Sequence, residues 1–353
     1  MYALGKKLRF SLFGKSHGPC VGCILEGVPQ GMPIDTAAIS RDMALRRPSN
    51  GIGTDRTEAD SVEFACGVIN GKADGNPIIM KIANRNVDDS KYVQFAETPR
   101  PGHADLPALL KFPEFDIRGG GQFSGRLTAP IVAAGSIAKQ MLDKKGIHIA
   151  AFCRSIGDVT DTKDRDIADA ERSKEYPTRG CTKELDRRMS ECITDARKDS
   201  DSVGGIVECI VEGLPIGFGG IWFESLDAEL ACAMFGIPAC KGVEFGKGFG
   251  LASIRGSQSN DQYRISDGKI VTETNNMGGI VGGMSDGQPV VFRTVFKPTP
   301  SIGKIQDTVD ISKCENAEIE IKGRHDPCIA PRAAAVVEAA AALVIADQME
   351  RGL

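Results

Sequence analysis

The stretch Arg332–Met349, RAAAVVEAAAALVIADQM, reads as one long helix. Alanine and leucine favour that conformation, and neither glycine nor proline interrupts it. Apolar residues occupy nearly every face, so this helix is buried centrally or covered by another subunit. Its longest apolar run, Ala333–Ala346, is broken by Glu338 and is too short to cross a bilayer.

Outward from this helix, strands and helices alternate. Leu8–Phe13 has the period of a strand, and Cys20–Glu26 can pair with it. Asp35 or Thr36 caps a helix running to about Arg47, with Ile39, Met43 and Ala44 on one face. Ser61–Val68 and Pro77–Ala83 read as strands. Thr128–Lys144 is an amphipathic helix ended by Gly146, and the strand Ile147–Phe152 follows. Residues 157–203 are rich in Asp, Lys, Arg and Glu, which makes them a polar surface excursion carrying one or two helices. Gly204–Glu212 and Gln288–Phe296 are strands, and Asp227–Phe235 is helical. The rhythm is not strictly βαβ. The fold class is therefore α+β, a mixed sheet with helices packed on it, in a single domain spanning 1–353.

Composition narrows the function. A chain of 353 residues buries a sizeable core. Its net charge of −4 offers no electrostatic footprint for nucleic acid. The opening Met1-Tyr-Ala-Leu-Gly-Lys-Lys7 lacks the apolar stretch of a secretory signal, so a cytoplasmic protein is expected, with no membrane partner. The 11 cysteines are scattered, and Cys20 and Cys23 form one CxxC with no second pair, so no metal site is assigned.

The chemistry lies in five short polar segments flanked by glycine, each of which, taken alone, also suits an ordinary turn. Phe13-Gly-Lys-Ser-His-Gly-Pro19 exposes a histidine, the side chain most often used for proton transfer, at a strand end. Pro99-Arg-Pro-Gly-His-Ala-Asp105 presents Arg100, His103 and Asp105 on a stiff loop, where Asp105 is placed to orient the ring. Arg118-Gly-Gly-Gly-Gln-Phe-Ser-Gly-Arg126 leads into a helix and exposes backbone N–H groups that suit an anion or a flavin edge. The paired glycines of Asn275–Ser285 let a flat ligand lie on the main chain, and Lys297-Pro-Thr-Pro-Ser301 follows soon after. The fifth is Gly323-Arg-His-Asp-Pro-Cys328, before the last helix. Arg46-Arg47-Pro48 adds anion-binding capacity. Of the four histidines, His148 lies in an apolar strand pattern and is structural. Together these segments imply histidines and arginines converging on a small polyanion beside a flat cofactor.

In this order, along essentially the whole chain, the segments resemble the chorismate synthase family. Gly14-Lys-Ser-His-Gly18, Arg100–Asp105, Lys241-Gly-Val-Glu244, the paired glycines, Lys297-Pro-Thr and Gly323–Cys328 carry the resemblance. It implies a large mixed or antiparallel β-layer with packed helices, a β-α-β sandwich assembled as a homotetramer. It implies a lyase that removes phosphate from 5-enolpyruvylshikimate 3-phosphate by 1,4-anti elimination, using reduced FMN without net redox change. It leaves open whether the chain depends on an external flavin reductase, with NADPH as indirect reductant, is bifunctional and itself reduces FMN with NADPH, or is a flavin-binding relative that has lost catalysis through the altered 122–126 loop.

The same resemblance implies roles. His17 protonates the departing phosphate, His103 sits at the flavin's pyrimidine end, and Asp326 lies near flavin N5 and assists proton removal. Ser16 and Ser124 tune these transfers. Cofactor contacts are expected from Gln122, Phe123, Ser124, Pro238, Ala239, Gly282, Lys297, Pro298, Thr299, Pro300, Ser301, Arg324 and Arg46. Arg46, Arg100, Arg126 and Arg324, with Arg47 and Arg56 behind them, are expected to hold the substrate's carboxylates and phosphate, since guanidinium matches planar anions. Lys15 stands where the family has glutamate, Ile52 where many members have a second arginine, and Phe123 and Gly125 interrupt the family's Arg-Ser-Ser-Ala-Arg. Either flavin or substrate affinity is weaker for these departures, or neighbouring cations such as Lys15 and Arg56 compensate.

Overall fold

The computed structural model of this chain describes residues 2–48, 52–53, 60–85, 92–321 and 326–353. Five strands near the N-terminus, β1 (Tyr2–Leu4), β2 (Arg9–Gly14), β3 (Cys20–Glu26), β4 (Glu63–Cys66) and β5 (Ile78–Ala83), form one antiparallel sheet in the order β1-β2-β3-β5-β4. In β5, Ile78, Met80 and Ile82 are buried while Lys81 is exposed, the alternation of a strand with one face on a core. A second antiparallel sheet holds β6 (His148–Ile156), β7 (Val159–Thr160), β8 (Gly205–Glu212), β9 (Cys240–Phe245) and β10 (Val290–Phe296), ordered β9-β10-β8-β6-β7. The β-layer is thus two sheets, and every pairing within them is antiparallel rather than mixed.

Helices pack between and around the two sheets. They are α1 (Thr36–Arg46), α2 (Asp105–Lys111), α3 (Thr128–Asp143), α4 (Ile167–Arg172), α5 (Lys183–Lys198), α6 (Leu226–Phe235) and α7 (Ala330–Arg351). The side chain of Asp35 caps α1 by accepting from the backbone N–H groups of Ala37 and Ala38. The apolar stretch is α7, and it lies at the centre: it packs on β6 and β8 on one side and on α3 on the other, and α3 packs on β3 and β5. The result is a β-α-β sandwich. Helices α3 and α7 meet closely at Gly135, where a Cβ would lie 2.6 Å from Ala339 Cα. Small residues on both helices allow that approach. One continuous core runs from Leu8 to Ala346.

Glu338 explains why an apolar helix carries a carboxylate. It is 3% exposed and accepts from Lys139 Nζ of α3 at 2.6 Å, from Lys174 Nζ at 3.2 Å and from the N–H of Ala151 at 3.2 Å. Burial pushes its carboxyl up, but the two lysines outweigh that and hold it below its ordinary value. One side chain thereby ties both inner helices to the second sheet.

Residues 157–203 are less detached than their composition suggests. Helix α5 is a surface helix, yet Leu185, Met189 and Ile193 face inward, and α4 lays Ala170 against Phe152 and Ile210 of the second sheet. The charged residues dominate the count, while a few apolar ones at helical spacing do the covering. His148 also departs from its expected place. It is the first residue of β6, exposed, with Nδ1 3.3 Å from Asp143.

The sandwich delivers the polar segments as loops at element ends. These are the β2–β3 turn, the segment after β5, the loop before α2, the glycine run before α3, the turn after β10 and the segment before α7.

Candidate functional site

The β2–β3 turn carries Ser16 and His17. Against it lies the glycine run, where the chain adopts positive φ at Gly119, Gly120 and Gly121. At Gly119 any larger residue is excluded twice over. Its φ of 60° disfavours a side chain, and a Cβ would lie 2.2 Å from His17 Cδ2 and 2.7 Å from Ser16 Oγ. The glycines thus let main chain lie flat against the histidine. Ser124 closes the run by accepting from the N–H of Arg126 at 3.3 Å.

On its other side, His17 meets the ring of Tyr92 edge-on, with centroids 5.1 Å apart. The guanidinium of Arg100 lies 5.7 Å from that same ring and 4.5 Å from the Phe95 ring. Arg100 belongs to the loop that carries His103, so Tyr92 and Arg100 join the two histidine loops. The structure reassigns the aspartate here. Asp105 accepts from Arg100 Nε at 2.7 Å and Nη2 at 2.9 Å, and both side chains are buried. The His103 ring is held instead by Ser301, with Nε2 and Oγ sharing a hydrogen bond at 2.8 Å. Geometry decides this: α2 begins at Asp105, which points its carboxylate back to the loop's own arginine.

Ser301 ends the turn after β10. In that turn Lys297 Nζ donates to Gly102 O, and the Lys297 N–H donates to Ala239 O at 3.1 Å, which places Pro238 and Ala239 beside it. Burial and the like charge of Lys241 push the Lys297 amine below its ordinary value. Thr299 Oγ1 is buried without a hydrogen-bond partner. A cation, an orphaned hydroxyl and a histidine-bound serine on one stiff turn fit the phosphate and polyol portion of a flavin mononucleotide.

The Thr299 carbonyl accepts from Ser202 Oγ at 2.7 Å, and the next residue, Val203, donates its N–H to Pro327 O at 2.8 Å. Asp326 is therefore two short links from the turn. It pairs with Arg332 at the start of α7, and Arg332 Nε donates to Arg46 O at 3.1 Å. Arg46 and Arg126 both bind Asp60, which returns the path to the glycine run. His17, His103, Asp326, Arg46, Arg100, Arg126 and the turn 297–301 thus lie on one closed circuit of contacts.

Other expected residues fall elsewhere. Phe123 is exposed and packs on Phe112 and Phe115, with ring centroids 6.2 and 5.9 Å away. Gln122 lines a cavity of about 500 Å³ together with Lys15 and Asp116, but neither histidine lines it. Lys15 Nζ lies 2.5 Å from Asp116 Oδ2, so this lysine is committed to the glycine loop rather than held ready for substrate. Arg47 is the exposed C-cap of α1. Gly282 sits in a short hairpin whose neighbour Gly283 packs on Ser225, away from the circuit. Arg56 and Arg324 lie outside the described residues. Tyr92, Asp60, Asn84 and Arg332 escaped the sequence reading because none sits in a glycine-flanked motif. Among the described residues no group of three or more His, Cys, Asp or Glu is arranged to hold a metal, and no helix is long and apolar enough to cross a membrane.

The sequence profile of the chorismate synthase family matches residues 8–349. The chain belongs to the chorismate synthase family. A chorismate synthase of Thermococcus kodakarensis is 45% identical over 348 residues, spanning 98% of this chain and 97% of that one. One of Korarchaeum cryptofilum is 45% identical over 353 residues, spanning 99% and 97%. A chorismate synthase crystal structure superposes with a TM-score of 0.79 at 30% identity, covering 99% of this chain and 93% of its own. As a member of the chorismate synthase family, the chain is a carbon–oxygen lyase.

Proposed function

We propose that the chain eliminates phosphate from 5-enolpyruvylshikimate 3-phosphate to give chorismate, with reduced FMN bound beside the substrate and no net redox change. The observation that carries this reading is the circuit joining His17 to His103 through Tyr92 and Arg100, closed by arginines and Asp326. When bound, reduced FMN supplies electron density to the allylic system during C–O cleavage and recovers it afterwards.

The chain's own groups do the rest. His17 donates a proton to the departing phosphate, a general-acid role worth roughly 10²–10⁴ in rate. Asp326, with Arg332 as charged partner, assists removal of the C6 proton. Arg46 and Arg126 share the Asp60 carboxylate, which sets two guanidinium groups in fixed planes for a substrate bearing two carboxylates and a phosphate. Lys297, Thr299 and Ser301, together with Arg324, hold the flavin, and Ser301 fixes the ring of His103.

The active assembly is a homotetramer in the cytoplasm, supplied with reduced flavin by an external reductase. Support for assembly comes from Ile221, Trp222 and Phe223, exposed by 60%, 81% and 92% on one turn, more apolar surface than a monomer ordinarily leaves wet. All 11 cysteines are unpaired, as suits a reducing compartment. The test is anaerobic turnover of 5-enolpyruvylshikimate 3-phosphate with dithionite-reduced FMN, following phosphate release and chorismate absorbance. Folded protein that releases no phosphate overturns the reading. A parallel assay with oxidised FMN and NADPH, and no other reductant, identifies the electron source.

A further inference from the structure

We infer that Asn84 and Asp60 are positioning residues for this reaction, acting through Arg126 to hold the His17 turn and the Arg46 guanidinium in one register. The inference rests on the functional reading above.

Asn84 follows the last residue of β5. Its side-chain amide donates to Lys15 O at 3.1 Å and to Gly18 O at 2.8 Å, the two carbonyls that bracket Ser16 and His17. Its carbonyl oxygen accepts from Arg126 Nε at 2.9 Å. The amide orientation follows from the partners, since two carbonyls require the NH₂ end and an Nε–H requires the oxygen. The Asn84 N–H adds a bond to Pro19 O at 3.1 Å, so the acid-bearing turn is pinned at three carbonyls by one residue. Carbonyl anchors fix the turn through its backbone rather than through the imidazole.

Arg126 continues the path. Its Nη2 donates to Ala83 O at 3.1 Å and its Nη1 pairs with Asp60 Oδ1, while Asp60 Oδ2 lies 2.5 Å from Arg46 Nη2. Asp60 is 6% exposed and Arg46 3% exposed, so both charges are held out of water and depend on each other. Desolvation alone raises the Asp60 carboxyl, but Arg46 and Arg126 hold it below its ordinary range. Each carboxylate oxygen serves a different arginine, which an amide cannot do: its NH₂ would face a guanidinium donor. Four elements meet in this line: the β2–β3 turn, the end of β5, the entry to α3 and the end of α1.

The test compares wild type, Asp60→Asn, Asn84→Ala and the double variant in anaerobic steady-state assays with reduced FMN, with thermal midpoints measured alongside. Asp60 has a φ of 48°, which asparagine and glycine both tolerate, so Asp60→Gly serves if the asparagine variant does not accumulate. Losing one charge-assisted bond to a substrate-binding arginine is expected to raise KM by about 10- to 100-fold with kcat within about threefold. Asn84→Ala is expected to lower kcat by about tenfold or more, since small misplacements of an acid are costly. Because both act through Arg126, the double variant loses less than the product of the singles. Folded Asp60 variants with wild-type KM, a folded Asn84→Ala with wild-type kcat, or losses that multiply overturn the inference. Wild-type protein that fails to turn over brings down the functional reading and this inference together. Wild-type turnover with unchanged variants brings down the positioning roles alone.

Discussion

Two buried carboxylates keep similar company in different places. Glu338 sits mid-helix at the centre of the sandwich between Lys139 and Lys174, while Asp60 sits outside any helix or strand between Arg46 and Arg126. At Glu338 the cations are also claimed by others, Lys139 by Asp42 and Lys174 by Glu171. Three anions thus surround two point charges, and nothing positive is left over. At Asp60 each carboxylate oxygen holds a different planar guanidinium, which sets both groups in fixed planes. The first arrangement fastens layers to one another, and the second prepares a site for an anion. Lysine stems reaching from α3 and from beyond α4 suit fastening, whereas the flat fork of arginine suits recognition.

The contrast breaks most sharply if chemistry and stability do not separate. His17→Ala is expected to lower kcat by roughly 10²–10⁴ while the thermal midpoint moves by no more than about 2 °C. A comparable loss of fold stability would make the His17 turn another fastening. Glu338→Ala is expected to do the reverse. Removing the buried anion at the centre of the cluster, with each lysine left only its outer carboxylate, costs about 3–5 kcal/mol in urea unfolding, with kcat per folded molecule unchanged.

The acid limb sharpens the same point. Glu338 is held below its ordinary carboxyl value in the folded chain, so its contribution is fully present above about pH 4.3 and is lost as pH falls through the folded value. Glu338→Gln should therefore flatten the fall in unfolding free energy below about pH 4, measured by urea titration across pH. An unchanged slope would mean the lysines do not favour the charged form.

Gly135→Ala probes the central contact without charge. A methyl group driven against the Ala339 backbone is expected to cost about 1–3 kcal/mol despite alanine's better helix propensity. No loss of stability would mean α3 and α7 slide apart freely. The smallest effect belongs to Lys15→Ala. Its pair with Asp116 is half-exposed at the lysine end, so substrate KM should stay within about threefold and stability within about 1 kcal/mol. A large rise in KM would return Lys15 to the substrate side and contradict its commitment to Asp116.

The sequence placed the elements well where one physical signal dominated. Helix α7 announced itself by apolar residues on all faces, and α3 by its period and the glycine beyond its end. In residues 157–203 it expected one or two surface helices, and α4 and α5 lie there, but charge counts hid Leu185, Met189 and Ile193 at helical spacing. In the candidate site, glycine and proline marked the loops that carry His17, His103, Arg126, Ser301 and Asp326, but not the segments that carry Asp60, Asn84 and Tyr92. Pairings within those loops were another matter. Asp105 stood beside His103 in the sequence and went to Arg100, and Ser301, nearly two hundred positions away, took the histidine.

By itself, then, the sequence determined which segments are strands and helices, which loops carry the chemistry, and that a fully apolar helix requires a covered centre. Those follow from local periodicity and from residues whose conformational demands are their own. Tertiary structure alone decided that the β-layer is two sheets around paired helices, that Glu338 is a junction, and that Asp60, Asn84, Tyr92 and Arg332 belong to the circuit. Each of these depends on groups far apart in the chain meeting at hydrogen-bond distance, and no local pattern records which distant partner will satisfy a buried charge.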